Sequence, residues 1–223
     1  MSNQGIFSIS IRLGALKTVS IDNKDIYECY FIEDIYSFCC YGKMTITDKY
    51  GLKEMGPLTG NELILLSYGK DAIVEREFSL LKIGKISSVT GFKQGQSSVL
   101  ELYFVDTFFK NLTSLKFSKA WEKKTKASEI VNDIVKNMLG INTQSIDIEP
   151  SDTFFEGFCM PYWSPADALR WISARAKGTK GKCNYGYLFF SNGNKYINFA
   201  TLDNLLNNAY TDSSVYVLET SQL

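Results

Sequence analysis

The chain has 223 residues, 24 Lys and Arg against 24 Asp and Glu, and no histidine. A chain of this length buries roughly 70–75% of its unfolded surface, enough for one large or two small domains. The neutral balance argues against nucleic acid as the main partner, and without histidine the common catalytic triads and most catalytic zinc sites cannot be built.

Residues 7–105 read as strands. Phe7, Ile9, Ile11 and Leu13 alternate with Ser8, Ser10 and Arg12, the period of a half-buried strand. Ile26 to Ile35 and Lys43 to Thr47 follow. Glu62 to Ser67 is almost unbroken by polar residues, as a strand buried on both faces would be. Glu75 to Ile83 and Val99 to Val105 complete the set, with Lys85 to Thr90 assigned to the same sheet system. Turn signals separate them: Asp22-Asn23, Asp48 to Gly51, Gly56-Pro57, Gly69 to Asp71 and Gly91 to Gly95. Short strands at this spacing predict an antiparallel barrel or sandwich.

The pattern changes after Asn111. Lys116, Lys119, Lys123, Lys124 and Lys126 surround Phe117 and Trp121 in a segment read as a connector. Ile130, Val131, Ile134, Val135, Met138 and Leu139 then recur at helical spacing, with Thr125 as N-cap and Gly140 as C-terminal cap. A second helix begins at Ser164-Pro165, has Asp167 at its third position, buries Leu169, Ile172 and Ala176, and ends at Gly178. Tyr187 to Ser191 and Lys195 to Phe199 flank Asn192-Gly193, a dipeptide suited to a tight hairpin turn. Thr201 to Asn207 predicts one short helix. Val215 to Leu218 resembles the start of another strand. The expected fold is therefore β-rich α+β: a tube-like barrel over residues 1–110, an α+β domain over 111–208, and a returning strand or incomplete second tube domain over 209–223.

Little here points to chemistry. Cys29, Cys39, Cys40, Cys159 and Cys183 are odd in number and lack C-x-x-C spacing, so reduced, mostly buried thiols are expected. Glu33 and Asp34 are adjacent, and neighbours on a strand face opposite ways, so they cannot address one substrate together. Gly178 to Cys183 departs from a phosphate-binding loop in glycine spacing, in its missing hydroxyl residue and in following a helix. It reads as a basic loop whose Lys177, Lys180 and Lys182 suit contact with an acidic partner surface. The N-terminus has no signal-peptide pattern, and no run reaches the roughly 20 apolar residues of a membrane helix.

Three runs in the first half carry a resemblance: Phe31-Ile-Glu-Asp-Ile35, Gly42 to Asp48, and Pro57-Leu-Thr-Gly-Asn-Glu-Leu-Ile-Leu65. Ala127 to Val135, Cys159-Met-Pro161, Trp163 to Trp171, Leu188 to Phe190 and Leu202 to Leu205 follow in the second. In order and spacing they resemble the N-terminal portion of the baseplate hub proteins of contractile-tailed bacteriophages, over residues 5–206. The resemblance implies fold-keeping roles for Asp48, Gly51, Pro57, Gly60, Glu62, Pro161 and Pro165. It also implies a homotrimeric structural virion protein without cofactor, made in the host cytoplasm and placed in the tail baseplate. Its ring would join the tail tube protein to the central spike protein, with no membrane or specific nucleic-acid partner.

Such a hub carries two tube-like domains per chain, so that three chains mimic six. One is legible here, so the resemblance implies a longer protein or a second barrel from another chain. The alternatives are a tail-associated glycan-cleaving enzyme, for which a credible carboxylate pair is missing, and a ligand- or nucleic-acid-binding module using the lysine-rich connector.

Overall fold

A computed structural model describes residues 6–13, 17–49, 51–52, 62–69, 74–86, 99–141, 146–152, 157–179, 186–192 and 197–211. Seven strands form one antiparallel sheet: β1 (Ile6–Leu13), β2 (Lys17–Ile21), β3 (Ile26–Ile32), β4 (Tyr41–Thr47), β5 (Leu63–Gly69), β6 (Val74–Ile86) and β7 (Val99–Asp106). Their spatial order is β2-β1-β5-β6-β7-β4-β3. β2 and β3 are thus opposite edges, yet only Asp22 to Asp25 connect them. In a flat sheet six spacings of about 4.8 Å would separate the edges by about 29 Å. Five Cα steps reach at most about 18 Å. The sheet must therefore curl until its edges approach, which makes it a half-barrel.

Alternation decides which residues the curl encloses. Ile9 and Ile11, Met44 and Ile46, Ile64 and Leu66, Phe78 and Leu80, and Leu100, Leu102 and Phe104 are all buried, forming one core. Gly42 belongs to the same face. A Cβ there would stand 2.4 Å from the Tyr30 carbonyl oxygen and 2.6 Å from the Phe104 ring, so the close approach requires glycine.

Three expectations for the sheet are corrected. β5 buries only one face fully, since Leu63 and Leu65 are half-buried. β2 adds a strand that the pattern does not reveal, because Lys17 to Ile21 is short and mostly exposed. The segment from Glu75 is one long strand rather than two, with Leu81 as the extra residue of a bulge between Leu80 and Lys82.

The rest of the chain packs against one end and the outer side of the sheet. Its elements are α1 (Phe109–Ser114), β8 (Phe117–Trp121), α2 (Ala127–Asp133), β9 (Ile146–Ile148), β10 (Phe158–Trp163), α3 (Pro165–Ser173), β11 (Tyr187–Phe190), β12 (Ile197–Thr201) and α4 (Leu202–Thr211). The connector thus contains a strand, β8, paired antiparallel with β10. β11, β12 and β9 form a second small sheet, with β9 parallel to β12.

α2 starts one residue later than its sequence suggests. Lys126 is the capping position, and Glu129 reaches back to its N–H at 3.2 Å. Thr125 instead donates to the Glu122 carbonyl. The helix runs on as a π turn over Ile134–Met138, and Gly140 follows at φ +72°. At α3, Ser164 accepts from the Asp167 N–H at 3.2 Å and Pro165 opens the first turn. α3 ends at Ser173, before Gly178, which pairs with Ser151 instead.

Phe190 lies opposite Asn198. The tight turn expected on Asn192-Gly193 lies outside the described residues from Gly193 on. Residues 209–211 belong to α4 rather than to a returning strand, and 212–223 lie outside the described residues. Among the described residues no helix is long and apolar enough to cross a membrane.

Candidate functional site at the junction of the sheet and the α+β elements

The core face of the half-barrel ends in charge. On β6, Arg76 follows the inward alternation that places Phe78 and Leu80, and on β7 Asp106 continues Leu100, Leu102 and Phe104. Arg76 is 2% exposed and Asp106 is fully buried. Charges so placed are tolerated only when paired and hydrogen-bonded. Arg76 Nη2 donates to Asp106 at 2.9 Å and to Ser191 Oγ at 2.9 Å, while Nη1 meets Glu33 at 2.5 Å. Asp106 also accepts from the Cys40 N–H and from Ser191 Oγ, both at 2.6 Å. The guanidinium lies 5.1 Å from the centre of the Phe78 ring.

This polar plug closes the sheet's core, and Ser191, at the end of β11, brings the α+β elements into it. Burial pulls Arg76 down, but Asp106, Cys40 and Glu33 outweigh it and hold the guanidinium above its ordinary value. Burial pushes Asp106 above the usual carboxylate range, against the pull of Arg76, Ser191 and the Cys40 N–H.

Beside the plug lies an open groove of about 790 Å³, walled by Ile35, Phe38, Leu81, Phe109, Arg170 and Phe189 among others. Phe38 meets Phe189 edge-on at 5.5 Å, with the Arg170 guanidinium 5.4 Å from its ring centre. Val105, Phe108 and Leu112 join Cys39 and the α+β core here, so the two parts share one packed boundary.

The thiols and carboxylates at this junction are engaged in packing and hydrogen bonds. Burial pushes the Cys40 thiol up to about 12 and Cys39 higher still, so neither supplies a thiolate at neutral pH. Glu33 and Asp34 lie beyond the end of β3, not on the strand as the sequence suggests. Glu33 binds Arg76, while Asp34 accepts from the Tyr36 N–H and the Ser37 hydroxyl to close a turn. Among the described residues, no three carboxylate or thiol side chains gather as a metal site would.

The positions singled out by resemblance are scattered. Asp48 accepts from the Leu52 N–H at 2.9 Å, and Gly51 takes φ +66°, closing the turn after β4. Glu62 is buried, and its carbonyl accepts from the Leu80 N–H. Pro161 is exposed in β10, and Pro165 opens α3. Lys177 is exposed, and its carbonyl accepts from the Asp152 N–H. Pro57, Gly60, Lys180 and Lys182 lie outside the described residues. None of the described ones enters the plug.

Reading the sequence alone misses Arg76, Asp106 and Ser191. A signal exists: a charge interrupts the apolar period at Arg76 and ends it at Asp106.

No protein-family model matches the chain, and no curated protein matches it in sequence. Solved structures do. The 43 kDa tail protein of prophage MuSo2 from Shewanella oneidensis superposes with a TM-score of 0.56 at 11% identity, covering 86% of this chain and 54% of its own. A chain of the PdpA-VgrG complex in its lidless form superposes at 0.50 with 15% identity, covering 93% of this chain and 37% of its own. The Escherichia coli c3393 protein, described as a type VI secretion component similar to T4 tail proteins gp27 and gp5, covers 88% of this chain and 45% of its own at 0.42 and 11% identity, too low to bear on the fold. The chain shares the fold of the MuSo2 tail protein, and it spans about half the length of that protein and about a third of the PdpA-VgrG chain.

Proposed function

We propose that this protein is a structural subunit of a phage tail baseplate, of the hub type, forming a ring that joins the tail tube to a central spike. The observation that carries the proposal is the fold shared with the MuSo2 tail protein across 86% of the chain. The surface supports it. Each outer strand of the seven-stranded sheet keeps one edge without a neighbour among the described residues. On β3 that edge exposes Tyr27, Tyr30 and Ile32, with Tyr36 and Tyr41 close by in sequence. Open edges and exposed tyrosines are features that association covers. The plug contributes rigidity: it fixes the α+β elements to the sheet, so a ring would be built from bodies of one shape.

The role is structural rather than enzymatic in this reading, and a trimer is the expected ring. Light scattering combined with low-resolution electron microscopy of the purified chain, alone and with tail tube and spike proteins, tests it. Threefold rings are expected, and Tyr30→Lys with Ile32→Lys should dissolve them without lowering the melting temperature. A monodisperse monomer at high concentration, with no affinity for tube or spike proteins, sinks the proposal.

A further inference from the structure

Among the described residues, two that are not glycine adopt positive φ: Lys124 at +66° and Tyr162 at +51°. Tyr162 lies in β10, and Lys124 in the turn that follows β8. Such backbone is strained for a side chain of any size, and strain of this kind concentrates where function requires it. Met160 pairs with Lys119 and Trp163 with Phe117, so β10 carries one extra residue across that interval. The resulting bulge is pinned by the Tyr162 N–H, which donates to Ser118 Oγ at 3.1 Å. Met160 turns into the core, whereas Tyr162 is turned out and 66% exposed. A bulge that re-aims one side chain is a recurrent device at binding surfaces.

Charge gathers at the same place. Residues 116–126, which hold β8 and the turn after it, carry five lysines against Glu122, a net +4 along the segment in a chain whose total is zero. Lys119 is paired with Asp133 at 2.7 Å, and Lys116 stands 5.8 Å from the Tyr162 ring centre. Lys123, Lys124 and Lys126 are exposed. The ribbon has two strands, so each keeps an edge with no strand beside it among the described residues. Pro161 removes a backbone donor from β10, which leaves β8 as the better edge for pairing. Ser118, Ala120 and Cys159 present small exposed side chains, and a depression of about 640 Å³ runs past Ala120, Lys123 and Gly157.

We propose that the β8–β10 ribbon docks an extended acidic segment of another protein, which adds as a strand along β8. Tyr162 is its aromatic anchor and Lys116, Lys123 and Lys124 its cationic rim. This site is separate from the β3 edge, and the inference does not rest on the hub reading. The aromatics favour protein over nucleic acid. Trp121, Phe158 and Trp171 stack on one another at 5.4 and 4.9 Å instead of facing solvent. Tyr162 is thus left as one exposed ring, whereas single-stranded nucleic acid needs a series of stacking platforms. An unpaired strand edge matches a peptide backbone.

Fluorescence anisotropy with the whole chain tests this, using three probes: an octapeptide alternating Glu and Val, the same peptide with proline at two central positions, and a 16-nucleotide oligothymidine. The alternating peptide should bind most tightly, and weaken about tenfold or more between low and physiological salt. The proline version should lose most of that affinity, because it cannot pair along an edge. Lys123→Ala combined with Lys124→Gly should weaken binding about tenfold. Tyr162→Gly should also weaken it while leaving the melting temperature unchanged or higher, because glycine accepts the positive φ. Equal binding of the two peptides, tighter binding of oligothymidine, no binding at all, or a melting temperature lowered by Tyr162→Gly would each overturn the proposal.

Discussion

Arg76 and Lys43 each bond a carboxylate on β7, Arg76 to Asp106 at 2.9 Å and Lys43 to Glu101 at 2.6 Å. Both pairs bridge neighbouring strands of one sheet. They lie on opposite faces of β7, because Asp106 and Glu101 differ by an odd number of residues. On the inner face the side chains of Arg76 and Asp106 are 2% and 1% exposed; on the outer face those of Lys43 and Glu101 are each 22% exposed. The shorter contact is the more solvated one, so distance does not rank them. Water can replace whatever is lost on the outer face, whereas on the inner face water does not reach the place of a missing partner.

Asp106→Ala is the strongest way to break that contrast. It removes the buried one of the two carboxylates that bond Arg76 and also the acceptor for Cys40 and Ser191, and the expected loss is about 3–5 kcal/mol of unfolding free energy, read from urea midpoints. Asp106→Asn keeps an acceptor for Cys40 and Ser191 and should lose less. Gly42→Ala probes the same core through sterics instead of charge. The added methyl meets backbone as well as the Phe104 ring, and backbone yields least, so a loss of about 1–3 kcal/mol is expected by the same measurement. A silent Gly42→Ala would mean that the curl of the sheet is looser than the contacts of Phe104 indicate.

These residues also mark what a sequence can convey. The period-two pattern of β1, β4 and β7 and the Ser164-Pro165 start of α3 are legible, because each rests on neighbours in the chain. β8 is hidden by the lysines in and around it: the Lys119 ammonium both pairs with Asp133 and stands 5.5 Å from the Trp121 ring centre, contacts that composition reports only as charge. The plug is hidden for another reason. Its members come from positions 33, 40, 76, 106 and 191, and only the folded topology makes them neighbours. Of the expected hairpin, the two strands are seen to pair antiparallel, Phe189 opposite Phe199, while the turn from Gly193 lies outside the described residues.

Asp133, with a side chain 21% exposed, matches the outer pair in exposure but has more partners. It accepts from Trp121 Nε1 at 2.9 Å, from Lys119 at 2.7 Å and from Asn137 at 2.7 Å. Partial burial pushes its pKa up, but these three donors together hold it below the ordinary carboxylate value. A carboxylate with a depressed folded pKa adds stability that is present above the unfolded value of about 3.9 and is lost as pH falls through the folded one. Asp133→Asn should therefore flatten the loss of stability below about pH 4, with a modest effect at neutral pH. Acid titration of the melting temperature, variant against parent, reads this directly; parallel curves would remove Asp133 from the account.

Lys43→Ala sharpens the comparison from its weak end. Glu101 is held below the usual carboxylate range, first by the hydrogen bond from Lys43 and next by that from the Tyr103 hydroxyl, at 2.9 Å. Deleting Lys43 leaves Tyr103 in place and opens the rest of the site to water. The melting temperature should not change measurably, while the Glu101 pKa followed by NMR should rise part of the way toward its ordinary value. A contact of 2.6 Å would then be visible in a titration and invisible in stability. If Lys43→Ala instead destabilised the fold as much as Asp106→Ala, the outer face of the sheet would tolerate a lost partner no better than the core does, and burial would no longer be the quantity that separates the two pairs.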